Sequence, residues 1–197
     1  MSRKNHTEIV CIIDRSGSMS SIREDAIGGF NSFIESQKNV DGTASVSLIL
    51  FDHEYNVVYE NIELSEVESL NSDTFVPRGS TALFDAIGKT INSVGNRLHN
   101  TSEENRPEKV MVCILTDGCE NASIEFTNEN IKEMIEHQRE KYSWEFSFLA
   151  ANQDAFSGAK SMGISNQYTM NFMSTGDGTR SAMKTMSDYT SSYRTSF

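Results

Sequence analysis

Residues 9–19 read IVCIIDRSGSM, a short apolar run that ends in an acid and is followed by two hydroxyls at alternate positions. The run is rich in β-branched residues and shows no polar alternation, which predicts a strand buried on both faces of a sheet. Asp14, Ser16 and Ser18 then lie on a tight turn, in which Gly17 lets the backbone bend. One carboxylate and two hydroxyls that converge form a hard-oxygen site for Mg²⁺ or a similar cation. The simpler alternative is that these residues only cap the helix that follows.

Two distant segments carry further oxygen donors of the same kind. Residues 77–83 (PRGSTAL) place the hydroxyl of Thr81 at the start of a helix. Residues 110–118 (VMVCILTDG) form a second apolar run, which ends in Asp117. In an open α/β sheet the loops at the carboxyl ends of parallel strands gather at one edge, and ligands bind there. We therefore expect two acids and three hydroxyls to meet around one ion.

Together these positions resemble the metal-ion-dependent adhesion site (MIDAS) of von Willebrand factor A (vWA) domains, a motif that integrin inserted domains share. All five ligand positions of the motif hold the expected residue types: Asp14, Ser16, Ser18, Thr81 and Asp117. The resemblance implies direct ligation by the two serines and often by the threonine, with the two acids acting directly or through water. It also implies that an acidic group of a partner protein completes the coordination of the metal.

The resemblance extends from about residue 8 to at least residue 117, and the departures from the family pattern are mild. Ser80 stands where many members have a second glycine, and Cys119 follows the last acid closely. Neither change removes a ligand, although Cys119 could alter the rim of the site. Among vWA proteins, the chain resembles the intracellular type of bacteria or phage.

The hydrophobic pattern predicts strands that alternate with helices along the chain. The predicted strands cover residues 7–13, 44–51, 55–61, 109–116, 144–150 and 168–172, and the predicted helices cover 20–37, 81–98, 128–142, 154–162 and 177–197. The short connection at residues 52–54 predicts an antiparallel hairpin at the sheet edge. The expected fold class is α/β: a doubly wound, mainly parallel, Rossmann-like central sheet with one antiparallel edge strand and helices on both faces.

We expect residues 1–197 to form one vWA domain, because no linker, repeat or low-complexity tract interrupts the chain. Residues 1–6 are expected to be flexible, and the amphipathic helix at 177–197 is expected to pack on the sheet as its last layer. The methionines of that helix leave a second interpretation open. It could bind or switch with a partner, because Met-rich surfaces adapt to varied ligands.

The charge balance and the apolar pattern limit the classes of partner. The net charge is −11, from 17 basic and 28 acidic side chains. Nucleic-acid-binding domains carry basic patches and anionic membranes attract basic segments, so neither is an expected partner. The chain has no secretory signal pattern and no apolar run near the ~20 residues that span a bilayer. Three cysteines without paired spacing predict neither a disulfide framework nor a zinc site. We expect a cytoplasmic monomer whose partner is another protein.

Two function classes are open at this point. The first is a metal-dependent protein-binding module, and the second is a metal-dependent hydrolase or phosphotransferase on a Rossmann-like sheet. Catalysis would need a second acid or a base in the site, but Ser16 holds the position two residues after Asp14, and no GxxxxGK[ST] loop occurs. We therefore expect no enzyme and no catalytic residue. Mg²⁺ is the preferred ion, followed by Mn²⁺, and then by Ca²⁺, which favours more oxygens.

Overall fold

The structure, a computed structural model, describes residues 3–150, 153–164, 169–173 and 175–196. Its strands are β1 (Arg3–Asp14), β2 (Thr43–Phe51), β3 (Tyr55–Glu63), β4 (Pro107–Thr116), β5 (Glu145–Ala150) and β6 (Thr169–Asn171). Its helices are α1 (Arg23–Lys38), α2 (Leu83–Asn100), α3 (Asn128–Tyr142), α4 (Gln153–Ser161) and α5 (Gly176–Thr195). The strands form one sheet in the order β3-β2-β1-β4-β5-β6. Only the edge pair β2–β3 is antiparallel among the pairings of these strands, which confirms the predicted fold class and hairpin.

Strand β1 contributes to two hydrophobic cores, because its side chains alternate between the faces of the sheet. Ile9, Cys11 and Ile13 belong to the core that α1 and α5 cover. Val10 and Ile12 belong to the core that α2 and α3 cover. None of these five side chains is more than 2% exposed, which explains the uninterrupted apolar run and confirms burial on both faces.

Strand β1 is also the point at which the winding of the sheet reverses. It pairs in parallel with β2 on one side and with β4 on the other. The loops that follow β1 and β4 therefore lie next to each other at the carboxyl edge of the sheet. In open α/β sheets this switch point is the usual place for a ligand.

Most predicted elements are present, with ends that differ by a few residues. Helix α3 spans Asn128–Tyr142 as predicted, because its ends carry strong local signals. Thr127 and Asn130 form a capping box at its start, and Ser143 adopts a left-handed conformation (φ 56°) after its end. The first residue of the predicted strand 168–172 and the last residue of the predicted helix 177–197 lie outside the described residues.

Residues 3–6, which lie in the segment that the sequence predicted to be flexible, belong to β1. Their partners are distant in sequence. The Asn5 N–H donates to Glu108 Oε2 at 2.6 Å, and His6 Nδ1 lies 2.7 Å from Thr43 Oγ1. Residues 1 and 2 lie outside the described part of the chain.

Helices α1 and α2 begin later than predicted, because the residues before them form turns. Residues Gly17–Ile22 form a 3₁₀ helix ahead of α1. Helix α2 begins at Leu83 rather than at residue 81, and the Thr81 N–H donates to the Asn121 side chain. Both turns place hydroxyl side chains at the carboxyl edge of the sheet.

The C-terminal helix α5 packs on the same face of the sheet as α1. Ala182, Met183 and Met186 are buried in the core on that face. The two helices approach closely: a Cβ added at Gly29 would lie 2.7 Å from Met183 Cγ. No helix in the described part of the chain combines the length and the hydropathy of a membrane span.

Candidate metal site

Three loops meet at the carboxyl edge beside β1 and β4. The first loop (residues 15–22) follows β1, the second loop (77–82) precedes α2, and the third loop (117–127) follows β4. Backbone hydrogen bonds join the first two: the Gly17 N–H donates to Gly79 O at 3.1 Å, and the Arg78 N–H donates to Arg15 O at 2.9 Å. These loops and the end of β1 carry all the residues that the sequence predicted as metal ligands.

The predicted acids and serines lie within one hydrogen-bonded cluster. Ser16 Oγ lies 3.1 Å from Ser18 Oγ, and Ser18 Oγ donates to Asp117 Oδ1 at 2.6 Å. Asp14 Oδ1 accepts the Ser16 N–H at 2.6 Å, and Asp14 Oδ2 accepts the Thr116 hydroxyl at 2.6 Å. The cluster therefore connects the ends of two neighbouring strands, as the topology requires.

Gly118 marks the space that these oxygens surround. A Cβ added at Gly118 would lie 3.0 Å from Thr81 Oγ1, 3.7 Å from Asp14 Oδ2 and 3.7 Å from Ser18 Oγ. A side chain at this position would place its Cβ among these oxygens, closest to Thr81 Oγ1. The structure thus brings all five predicted residues together around one small cradle of oxygens.

The two carboxyl groups are held in an environment that disfavours their charge. Burial raises the pKa of Asp14 to about 6, although hydrogen bonds from Thr116 and Ser16 oppose the shift. Burial also raises the pKa of Asp117, against the hydrogen bond from Ser18. Two carboxylates that are desolvated and close together repel each other, and a divalent cation between them would relieve that cost.

The residues present fit a hard divalent cation. Every donor around the cradle is a carboxylate or hydroxyl oxygen, the ligand type that Mg²⁺ and Mn²⁺ prefer. Within the described residues, no group of three or more His, Cys, Asp or Glu side chains is placed to hold a metal ion. A cation bound at this edge would therefore depend on the hydroxyls as well as on the two acids.

Asp52, which the sequence reasoning did not single out, holds the first two loops together. Its fully buried carboxylate accepts Nε–H bonds from Arg15 at 2.9 Å and from Arg78 at 3.0 Å. It also accepts the Glu54 N–H at 2.7 Å. Its backbone carbonyl accepts the Ala82 N–H at 2.9 Å. Burial alone would raise the pKa of Asp52, but the Glu54 N–H and the two guanidinium groups outweigh it and lower that pKa.

The third loop is fastened to the second through Asn121 and Glu120. Asn121 Oδ1 accepts the Thr81 N–H at 2.9 Å, and the Asn121 N–H donates to Thr81 O at 3.0 Å. Glu120 Oε2 accepts the Phe84 N–H at 2.9 Å in the first turn of α2, where a carboxylate complements the helix dipole. Asn121 therefore holds Thr81 through both its backbone N–H and its backbone carbonyl, and Glu120 holds the start of α2 three residues further along. The sequence contained one signal for them, an acid and an amide that stand three and four residues after the strand-end acid Asp117.

Four of the five residues around the cradle are buried, and Ser18 is exposed. Three cavities of about 550, 410 and 280 Å³ lie elsewhere on the molecule. None of the five predicted ligands lines any of them.

No protein-family model matches this chain, and no curated protein matches it either. Solved structures do match. The vWF domain of the type V pili tip protein Mfa5 from Porphyromonas gingivalis is 9% identical, with a TM-score of 0.68 and coverage of 97% of each chain. Proximal thread matrix protein 1 from the mussel byssus, with zinc in its MIDAS motif, is 15% identical with a TM-score of 0.66.

The mussel match covers 94% of this chain, which spans only about half (46%) of the mussel chain. Manganese-loaded TRAP protein from Plasmodium vivax is 14% identical, with a TM-score of 0.61 and coverage of 92% of this chain and 73% of that one. At these identities the matches establish the fold alone. The chain has the Rossmann-like vWA fold, and its structural neighbours are vWA domains.

Proposed function

We propose that this chain is a metal-dependent protein-binding module that captures an acidic residue of a partner protein through a bound divalent cation. The observation that carries the proposal is the cradle over Gly118, where carboxylate and hydroxyl oxygens from three separate segments surround one small space. The structural neighbours add support, since one has zinc in its MIDAS motif and another is loaded with manganese.

The residues that would hold the cation are those of the motif. Ser16, Ser18 and Thr81 offer neutral hydroxyls, and Asp14 and Asp117 offer carboxylates that bind directly or through water. Mg²⁺ is the preferred ion because few charged ligands leave room for the waters that it retains, and Mn²⁺ suits the same octahedral oxygen site. The bound cation would supply an open coordination position with residual positive charge.

The charge of the site explains how an acidic protein binds an acid. At most two negative charges, those of Asp14 and Asp117, face the two positive charges of the ion. If one acid ligates through water, the ion attracts an incoming carboxylate in a partly desolvated place, where charge pairs are stronger than in bulk water. The net charge of −11 is spread over the whole surface and is screened by salt over about 8–10 Å.

We also propose that the chain is not an enzyme. Ser16 and Ser18 have hydroxyl and carboxylate neighbours, and no neighbour in the described cluster is a histidine or lysine that could activate them. Purified protein should show no more than a trace of metal-dependent hydrolysis of nucleotides, phosphomonoesters or esters. A turnover that Ser16→Ala removes, in a protein that still folds, would replace this proposal with the hydrolase alternative.

Thermal melting with and without Mg²⁺ or Mn²⁺ tests the metal site. A ligand at about 100 times its Kd adds about 2.7 kcal/mol to the free energy of unfolding. For a chain of this size that corresponds to a rise in Tm of about 5–10 °C. Asp14→Ala and the isosteric Asp14→Asn should abolish the rise, whereas the exposed Asp73→Ala should keep it. An equal rise in the Asp14 variants would place the metal elsewhere.

Capture of a partner is tested separately. EDTA should release the bound partner and Mg²⁺ should restore it. Thr81→Ala should weaken capture and spare the fold, because it removes one neutral ligand at the rim. Capture that survives both EDTA and Asp14→Ala would contradict a metal-mediated contact.

We propose that the protein is cytoplasmic and monomeric. The thiols of Cys11 and Cys113 support this proposal, because the two residues are register partners on β1 and β4 and both are free.

A further inference from the structure

Large apolar side chains that are well exposed occur in segments at the carboxyl edge of the sheet. Among the described residues the well-exposed large apolar side chains are Val57, Val76, Ile124, Tyr142 and Met173. Three of them lie at the carboxyl edge: Val76 in the segment before the second loop, Ile124 in the third loop and Met173 just after β6. The two with the greatest exposure, Ile124 at 91% and Met173 at 73%, belong to this group.

Ile124 differs from an ordinary exposed side chain because the backbone around it is firmly held. The carboxylate of Asp85, in the first turn of α2, is buried and accepts three consecutive backbone N–H groups of the third loop. Oδ2 accepts the N–H of Ile124 at 3.0 Å, and Oδ1 accepts those of Glu125 and Phe126, each at 2.9 Å. One buried carboxylate is thus committed to fixing this part of the loop.

The residues on either side of Ile124 are anchored as well. Ser123 Oγ accepts the Asp85 N–H at 3.0 Å, and the Ser123 N–H donates to Glu120 at 2.7 Å. On the other side the Phe126 ring packs against α2 at Gly88, where an added Cβ would lie 2.6 Å from the ring. The loop therefore presents Ile124 to solvent in a fixed position, and a partner that covers it need not order the loop first.

We propose that Ile124 is an apolar contact for the partner, beside the carboxylate that reaches the metal. The proposal rests on the proposed function and specifies the partner: an acidic segment of another protein with an apolar side chain near its acid. Asn121 is hydrogen-bonded to both backbone groups of Thr81, and Ile124 follows Asn121 by three residues, so the Cα atoms of Asn121 and Ile124 lie within about 11 Å. An extended peptide covers that distance in about three residues, so the apolar residue should stand about three to four positions from the acid.

Selection of random dodecapeptides on phage tests the proposal. The immobilised protein is panned in Mg²⁺, and bound phage are eluted with EDTA. We expect the eluted peptides to contain Asp or Glu with Leu, Ile, Phe, Met or Val about three to four positions away. An enriched peptide should bind Ile124→Ser about tenfold more weakly, as expected for losing part of one buried apolar side chain. Val57→Ser, an equally simple change on the edge strand β3, should bind as wild type does.

The outcomes separate this inference from the proposed function. Ile124→Ser should melt as wild type does, because the side chain contributes little to the core. EDTA-eluted peptides that carry an acid without the apolar residue, and that bind Ile124→Ser normally, overturn the inference and leave the metal-dependent module intact. A failure of EDTA to elute any peptide overturns both. Mg²⁺-dependent self-association that Ile124→Ser abolishes, measured by sedimentation, would replace the foreign segment with a second copy of this chain.

Discussion

Replacing Asp52 should loosen the first and second loops of the candidate metal site, although Asp52 is not one of the predicted ligands. Its carboxylate is fully buried and joins the first loop to the second through Arg15 and Arg78. It also accepts the Glu54 N–H at 2.7 Å, which fixes the turn after β2. We expect Asp52→Ala to release both loops, and Asp52→Asn to keep the hydrogen bond from Glu54 but lose the charge.

The magnitude follows from the exposure of each partner. The Arg15 side chain is 11% exposed, so its pair with Asp52 counts as buried. Removing one member of a buried pair costs about 3–5 kcal/mol. The Arg78 side chain is 46% exposed, so solvent screens its pair and it adds little. At about 2–4 °C per kcal/mol for a chain of this size, Asp52→Ala should lower Tm by roughly 6–20 °C. Asp52→Asn should cost about half as much.

The pH dependence has a definite sign. The folded state lowers the pKa of Asp52 below its ordinary value of 3.8, because the Glu54 N–H and two guanidinium groups outweigh burial. A carboxyl group with a lowered pKa contributes stability above its unfolded pKa and loses it as pH falls through the folded pKa. The gap in Tm between wild type and Asp52→Asn should therefore be constant from about pH 5 to 8 and shrink below about pH 4.

Thermal melting in EDTA measures the effect on the fold, and calorimetric titration with Mg²⁺ measures the effect on the site. Glu54→Gln is the matched control, since Glu54 also contacts Arg78 but is 57% exposed. It should change neither quantity appreciably. If Asp52→Asn melts at the same temperature as Glu54→Gln and binds Mg²⁺ equally well, the bracing role of Asp52 is refuted.

Three further changes test other contacts. Gly118→Ala should weaken Mg²⁺ binding about tenfold or more in a calorimetric titration, because the new Cβ would lie 3.0 Å from Thr81 Oγ1 inside the cradle. The same change should have little effect on Tm. Asn121→Ala should weaken Mg²⁺ binding about tenfold by the same measurement, since it frees the Thr81 N–H, and normal affinity would refute its positioning role. Glu8 and Arg97 form an ion pair. Either Glu8→Leu or Arg97→Leu should lower the free energy of unfolding, measured in urea, by about 3 kcal/mol, because it leaves the other partner unpaired. The double variant should recover most of this loss, because two apolar side chains replace the pair.

Local patterns were enough to predict the sheet and the meeting of five candidate residues at its carboxyl edge. Asp14 and Asp117 each end an apolar strand, and parallel strands that lie next to each other bring such ends together without further information. Helix α3 was predicted to the residue because its capping signals are local. The start of β1 was missed because residues 3–6 are polar and find their partners, Thr43 and Glu108, far along the chain.

The residues that brace the site could not be read from the sequence for the same reason. Asp52 stands in a short acidic turn, and Asp85 stands on the polar side of an amphipathic pattern. From the sequence alone both residues are expected to be solvated. In the fold, Arg15 contacts Asp52, and the third loop contacts Asp85. Their partners are separated by 37 and 39 residues, so no periodicity links them.

These long-range contacts determine how the candidate site would work. Each loop is fixed by a side chain from another segment: Asp52 fixes the first two loops, Asn121 fixes Thr81, and Asp85 fixes the third loop. None of these three is a predicted ligand, so the hydroxyls would keep their places whether or not a cation is bound. The entropy of ordering the loops is then lost during folding rather than during binding. Under the proposed function, a cation that meets prearranged hydroxyls would need few charged ligands, and it would therefore keep enough positive charge to attract the carboxylate of a partner.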